Sequence, residues 1–335
     1  MVLPAEIFAD LPPFKPRFPW LGADLQTVRN TVLRRGADLA VYPLETLRLP
    51  LADGSGDTLL GLYNVPLHAS LKPLVVVLHG LGGGAESFYV RNSAAAFLAA
   101  GFPTLRLFLR GAGPTRPLCR QHYHAGRSGD IEAALAALPD VLRAHGVLLM
   151  GFSLGGNMLL KFLGERGADA GDVIGGVAVS APIDLAACCR AIMRRRNELY
   201  HRYILNRMKR DTLPTPDLPA RFRDAALSSR TVYEFDDRFV GPINGWSGAE
   251  EYYAVNSAAR YLGGIRQPTL VIHAEDDPWI PIDCYRAFDW GGAPHLRLML
   301  AKGGGHVGFH DRKLGLWHDA CARAFAEHLS AARRR

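Results

Sequence analysis

The pattern of apolar and polar positions changes character along this chain. Residues 1–42 are rich in proline at first and then hold one short helical stretch at 23–34. Residues 44–50 and 58–65 are β-prone runs on either side of Asp53-Gly54-Ser55-Gly56, a composition that predicts a hairpin. From Leu74 onward, an apolar run at 74–79 and further strand-like runs at 104–109, 147–150 and 173–180 alternate with helical spacing at 86–100, 128–138 and 158–163. Short runs without polar alternation fit strands covered on both faces. Their alternation with helices predicts an α/β fold with a mostly parallel sheet. The alternation stops at Pro182 and resumes at Thr269, with strands at 269–273 and 296–300, a helix at 283–290 and a closing helix at 312–332. That interval is too long for a plain connection. Residues 182–245 are therefore expected to form a helical lid inserted above the sheet, within one domain spanning 1–335. Within it, Cys188 to Arg210 is expected to be helical, with apolar positions at Ile192, Leu199, Tyr203 and Met208. Ser128 is the expected cap of the helix that follows it. The cluster Phe18-Pro19-Trp20-Leu21 is expected to pack the 1–42 extension onto the body.

One strand–turn–helix passage carries a chemical signature. The run ending at Met150 leads into Gly151-Phe152-Ser153-Leu154-Gly155, and Met158, Leu159, Phe162 and Leu163 follow at helical spacing. A G-x-S-x-G sequence in that context is a nucleophile elbow. The turn is so tight that small residues are needed around the serine, and Gly151, Gly155 and Gly156 supply them. Ser153 then projects beside the first amides of a helix, which have no partner within it and suit a developing negative charge. The competing interpretation is an ordinary serine in a glycine-rich turn.

A serine hydroxyl needs a base, and the base needs a partner that fixes its tautomer. In elbow enzymes these follow the serine in the order acid, then histidine. After the run at 269–273 comes Glu275-Asp276-Asp277-Pro278, and after 296–300 comes Gly303-Gly304-Gly305-His306. His306 is the expected base, since a histidine in a glycine-rich loop past a strand can reach a neighbouring strand end. His273 reads as core, His310 lies beyond the glycines, and His318 and His328 read as surface positions of the closing helix. Asp277 is favoured over Asp276 and Glu275 as the orienting carboxylate, and one aspartate of the pair is expected to serve the turn. Two backbone amides must hold an oxyanion. Leu154 supplies one, and Leu81, in His79-Gly80-Leu81-Gly82-Gly83-Gly84, supplies the other. That glycine run lacks the endings of nucleotide-binding loops.

Composition removes other classes. With 48% hydrophobic and 21% charged residues the chain is an ordinary globular one. No apolar run approaches the roughly 18–20 residues of a membrane span. The first twenty residues lack the basic start and apolar core of a signal peptide, so a cytoplasmic location is expected. The five cysteines (Cys119, Cys188, Cys189, Cys284 and Cys321) are scattered without a C-x-x-C pair, which argues against a disulfide framework or a zinc site. No metal or cofactor is expected. The formal net charge of +7 draws on Arg333, Arg334 and Arg335, expected to be a frayed tail, and on the basic stretch from Arg190 to Arg210. That stretch could meet anionic lipid or simply face water. No nucleic-acid motif accompanies it, so no nucleic-acid partner is expected.

With these residues placed, the chain resembles the α/β-hydrolase superfamily, and more narrowly its YheT-like group, from about Phe18 to Phe325. The general motifs are His79-Gly80, Arg110-Gly111-x-Gly113, the Ser153 elbow, Asp277-Pro278 and Gly305-His306. The narrower ones are Trp20-Leu21 with Leu25-Gln26-Thr27, Tyr123-His124-x-Gly126-x-x-x-Asp130, and Phe235-Asp236-Asp237 with Tyr252-Tyr253 and Ser257. Leu109 departs from the group, which usually carries a polar residue there. The resemblance implies a serine esterase with an acyl-enzyme intermediate, acting on a small-molecule acyl ester of short or medium chain. Acyl transfer to an alcohol and phospholipid cleavage use the same triad, and a non-catalytic binding module is the competing class.

Overall fold

The computed structural model describes residue 7, residues 11–33 and residues 36–333 of the 335-residue chain. Arg34, the expected end of the first helix, and Arg334 and Arg335 lie outside the described residues. Eight strands form one sheet: β1 (Leu44–Pro50), β2 (Thr58–Asn64), β3 (Leu74–Leu78), β4 (Thr104–Phe108), β5 (Val147–Phe152), β6 (Val173–Val179), β7 (Thr269–Ala274) and β8 (Leu296–Ala301). Their spatial order is β1-β2-β4-β3-β5-β6-β7-β8. β1 pairs antiparallel with β2, and β2 antiparallel with β4; every pairing from β4 through β3 to β8 is parallel.

The continuous apolar runs are explained by two cores, one on each face. Along β3, Leu74, Val76 and Leu78 join the core that includes Leu149, Leu159 and Phe162. Val75 and Val77 point the other way, with Met150, Phe152 and Phe325. The period-two alternation of a strand is present, but both faces are apolar, so no polar position marks it. Helix Leu154–Arg166 lies against the first face, and helices Phe88–Ala99 and Trp317–Arg333 cover the second.

Several local expectations need correction. Ser128 is the first residue of helix Ser128–Ala136 and makes no cap bond; its hydroxyl donates to Glu165 Oε2 at 2.5 Å. The stretch from Cys188 to Arg210 is not one helix. Helix Leu185–Ile192 ends, Arg195–Asn197 forms a single tight turn, and helix Glu198–Thr212 follows. The break resets the helical phase, so the inward stripe is His201, Ile204, Leu205 and Met208, while Leu199 is 81% exposed. Phe18 and Leu21 also face outward, at 81% and 49% exposure. His318 is fully buried, edge-on to Phe152 and Phe309, not at the surface. The closing helix begins at Trp317; before it, β9 (His310–Asp311) and β10 (Gly315–Leu316) make a small hairpin. The helix expected at 283–290 is shorter, Ile282–Arg286.

Candidate active site

In a parallel sheet the loops at the carboxyl ends of neighbouring strands converge. Here those loops follow β3, β5, β7 and β8, and they carry Leu81, Ser153, Asp277 and His306. Ser153 has φ 50° and ψ −121°, a left-handed conformation foreign to a residue with a Cβ. Such a residue costs about 1–3 kcal/mol and persists only where its surroundings hold it. The surroundings are the glycines: a Cβ on Gly155 would lie 2.6 Å from the His79 carbonyl oxygen, and one on Gly151 would collide with Gly155. Strand and helix therefore meet without side chains between them, and the serine stands at the apex.

Ser153 Oγ lies 3.0 Å from His306 Nε2, and His306 Nδ1 lies 2.9 Å from Asp277 Oδ2. Burial pushes the Asp277 carboxyl up, but the neighbouring imidazole and its hydrogen bond outweigh that, and the net shift is downward. An ionised carboxylate only accepts. Nδ1 therefore carries the proton and donates to Asp277, leaving Nε2 free to accept from the serine hydroxyl. Asp277 also serves the turn: its Oδ1 accepts the amides of Trp279 and Ile280, at 2.8 and 3.1 Å. The expected division of labour between the two aspartates thus takes a different form. Asp276 accepts the Gly305 amide at 2.9 Å and holds the histidine loop.

The loop after β3 runs beside the nucleophile, since a Cβ on Gly80 would stand 3.0 Å from that of Ser153. Among the described residues, neither the Leu81 nor the Leu154 amide donates a hydrogen bond within the protein. The Leu81 amide shares its peptide with the Gly80 carbonyl, which accepts from the Gly83 amide at 3.1 Å and from His79 Nδ1 at 2.8 Å. His79 must donate there, because its Nε2 accepts the Leu109 amide at 3.1 Å. Burial lowers its pKa to about 4, so it is neutral. Two donors on that carbonyl polarise the peptide and strengthen its N–H as a donor.

Other side chains at the site had no role assigned from the sequence. Trp279 stacks on the His306 ring, centroids 4.2 Å apart. Thr27 Oγ1 accepts the His306 amide at 2.8 Å, which gives the Leu25-Gln26-Thr27 motif one of its uses; Gln26 also accepts the His310 amide, at 2.7 Å. Tyr123 Oη accepts the Gly82 amide at 2.8 Å and donates to Asp211 at 2.9 Å, while the Gly82 carbonyl accepts Arg207. Gly82 has φ 64°, and a Cβ there would lie 2.7 Å from Arg207. Asp130, at the end of the Tyr123 motif, binds buried Arg110 through both oxygens, and Asp57 binds it at 2.9 Å. Tyr253 Oη donates to Asp236 at 2.7 Å, and Asp237 accepts the Ala249 amide at 3.0 Å. The motifs pointed to Gln26, Thr27, Tyr123, Asp130, Arg110, Asp236 and Tyr253 without giving their roles; nothing in the sequence marked Trp279, Arg207 or Asp211.

Ser153 and His306 open into a cavity of about 770 Å³, within the range of ligand pockets. Residues from the helical segment between β6 and β7 roof it, among them Leu185, Ile204, Met208 and Phe239. Among the described residues, no helix is long and apolar enough to cross a membrane, and no cluster of side chains would hold a metal. All five cysteines are free thiols.

Residues 73–313 match the family model described as alpha/beta hydrolase fold. The Escherichia coli (strain K12) protein named "Putative esterase YheT" is 33% identical over 91% of this chain and 89% of its own length. A Saccharomyces cerevisiae monoacylglycerol lipase is 32% identical over 74% of this chain, which spans 57% of that protein. Among solved structures, the Pyrococcus furiosus esterase Pf2001 superposes with a TM-score of 0.59 at 16% identity, covering 94% of this chain and 97% of that one.

Proposed function

This chain belongs to the α/β-hydrolase family, in its YheT-like group, and is a carboxylic ester hydrolase; we propose that it cleaves acyl esters of short to medium chain through an acyl-enzyme on Ser153. The observation that carries this is the continuous relay from Ser153 Oγ through His306 to Asp277, at 3.0 and 2.9 Å. Ser153 Oγ attacks the ester carbonyl carbon as His306 Nε2 takes its proton. The amides of Leu81 and Leu154 hold the oxyanion. The tetrahedral adduct collapses, the bond to the leaving alkoxy oxygen breaks, and His306 returns the proton to that oxygen. Water, deprotonated by the same nitrogen, then attacks the acyl carbon; the bond from that carbon to Ser153 Oγ breaks, and His306 gives the proton to Oγ as the acid leaves. Asp277 stays ionised and stabilises the imidazolium in both halves. The stacked Trp279 face favours the same cation.

The helical segment 182–245 acts as a lid in this scheme, and its apolar roof over the cavity supports an acyl-chain site. An alcohol in place of water would give ester exchange on the same acyl-enzyme. The ratio of free acid to new ester with added alcohol measures that partition.

Ser153→Ala is expected to abolish hydrolysis of p-nitrophenyl esters and labelling by a fluorophosphonate probe, while its circular dichroism and melting remain those of a folded protein. Full activity in the pure, folded variant would overturn the assignment. A panel of esters of graded chain length on the wild type then fixes the acyl preference.

A further inference from the structure

The net charge of this chain is not spread over its surface. Between Arg190 and Arg210 there are eight basic residues against one acidic, Glu198, a balance of seven. The whole chain carries +7, so the rest is neutral in sum. Arg190, Arg194, Arg195, Arg196, Arg202 and Arg210 are exposed. Three of these have acidic partners: Arg196 meets Asp24 at 2.9 Å, Arg202 meets Glu198 at 2.6 Å, and Arg210 meets Asp211 at 3.2 Å; Arg190, Arg194 and Arg195 have none among the described residues.

The same place exposes large apolar side chains. Asp24, in helix Ala23–Leu33, accepts from Arg196 and from the Tyr200 hydroxyl, at 2.9 and 3.0 Å. That clasp sets helix Ala23–Leu33 beside helix Glu198–Thr212. Leu25, 45% exposed, follows Asp24 in the chain, and Leu199, 81% exposed, precedes Tyr200; Phe18 and Leu21, just before the first helix, and Tyr203, 40% exposed, on the second, are exposed as well. Exposed apolar side chains and exposed arginines carried by the same clasped segments are the composition of a surface that seats in the headgroup region of a membrane. The cavity reaches the surface between these helices, since Thr27 and Thr31 line it from one and Tyr203 and Arg207 from the other.

We propose that this face docks on an anionic lipid bilayer, with Phe18, Leu21, Leu25 and Leu199 entering the interface and the arginines meeting the headgroups. Charge complementarity selects the bilayer: a neutral surface would leave the seven net charges without counterpart, and each basic residue near an anionic surface strengthens binding roughly fivefold. The position of the mouth gives the docking its use. An ester with an acyl tail would pass from the bilayer into the apolar cavity without crossing water. That use rests on the proposed ester hydrolysis; the docking does not.

The test is co-sedimentation of full-length Ser153→Ala protein with phosphatidylcholine vesicles, with and without phosphatidylglycerol. Binding is expected only with phosphatidylglycerol, and is expected to weaken with added salt. Arg194→Glu with Arg195→Glu, and separately Leu199→Asp with Phe18→Asp, are expected to weaken it by tenfold or more. In the active background the same surface variants are expected to hydrolyse a water-soluble short ester at the wild-type rate, which shows that they fold. Equal binding to both vesicle types, no binding to either, or binding untouched by the surface variants would overturn the proposal. So would arginine variants that raise KM for a soluble acyl-coenzyme A while vesicle binding stays absent. Loss of ester hydrolysis with Ser153 intact would count against the triad and leave the docking standing.

Discussion

Replacing Tyr123 by Phe removes one oxygen atom and, with it, the hydrogen bond that fixes the Gly82 amide and the one that satisfies Asp211. Gly82 follows Leu81 directly, so the orientation of the proposed oxyanion donor depends on where Gly82 is held. A buried amide left without an acceptor costs about 1–3 kcal/mol. The loop has other restraints, the Gly83 amide on the Gly80 carbonyl and Arg207 on the Gly82 carbonyl, so it shifts without unravelling. If about 1–2 kcal/mol of that cost is met by populating a conformer with Leu81 turned away, kcat falls roughly fivefold to thirtyfold. Complete loss of one oxyanion donor, about a hundredfold to a thousandfold, is the ceiling. The ground-state carbonyl gains little from the oxyanion hole, so KM stays close to wild type. The assay is steady-state kinetics on a p-nitrophenyl ester, paired with inhibition by a boronic acid that mimics the tetrahedral adduct. Its affinity is expected to drop in proportion to kcat. Asp211→Ala is expected to show the same split more weakly, because the tyrosine oxygen can still accept from Gly82. A Tyr123→Phe variant with kcat within about twofold of wild type and a raised KM would refute the reasoning and make Tyr123 a cavity wall only.

Other consequences are as direct. Asp277→Asn presents an N–H to His306 Nδ1 in place of a carboxylate, which puts the imidazole proton on the wrong nitrogen; kcat is expected to fall by about ten-thousandfold with the fold intact, and a loss under about tenfold would remove Asp277 from its role. Arg110→Ala leaves Asp57 and Asp130 buried without their cation, and urea denaturation is expected to show a loss of about 3–5 kcal/mol, whereas a loss under about 1 kcal/mol would mean that the acids find other partners. Burial raises the Asp236 carboxyl to about 7 against the single opposing bond from Tyr253, and the groups facing it are Tyr253, Tyr252 and Cys189, with no cation among them. The folded state then holds a proton that the unfolded state releases near pH 4, so stability declines as pH rises from about 4 to 7, by at most about 4 kcal/mol. Asp236→Asn keeps an acceptor for Tyr253 and removes the titration; its melting temperature is expected to gain on wild type at pH 8 but not at pH 5, and a gap independent of pH would count against a raised pKa.

What the sequence made legible follows from where local chemistry leaves no choice. Strands β3, β5 and β6 were readable because burial on both faces writes an unbroken apolar run. The turn at Ser153 was readable because its closest backbone approach admits only glycine. The order of the loops after β5, β7 and β8 then placed Asp277 and His306 near the serine, and the structure brings the three within hydrogen-bond reach. The segment after Pro182 was not legible to the same degree. Its basic run hides a helix break at Arg195–Asn197, and a stripe counted across a break takes the wrong phase. Phe18 and Leu21 misled in another way, because apolar character predicts burial only where something is present to cover it. His318 was misplaced because the closing helix buries a polar ring between aromatic ones, a tertiary choice that no spacing records. Tyr123 and Thr27 act on groups far along the chain, so only the motifs marked them, and nothing in the sequence marked Trp279.

The hydroxyl of Thr27 that receives the His306 amide reaches across 279 positions of sequence. The loop bearing the proposed base is therefore finished by one of the earliest helices of the chain, which waits through the making of the whole sheet for its counterpart. A chain that lacked this helix would keep Ser153, Asp277 and His306 and lose the acceptor that holds the His306 amide. The reach of the base toward Ser153 would then depend on a contact made between the two ends of the described chain. Removing residues 11–33 would then mimic the loss of His306 in a rate assay, although no proposed triad residue had been touched.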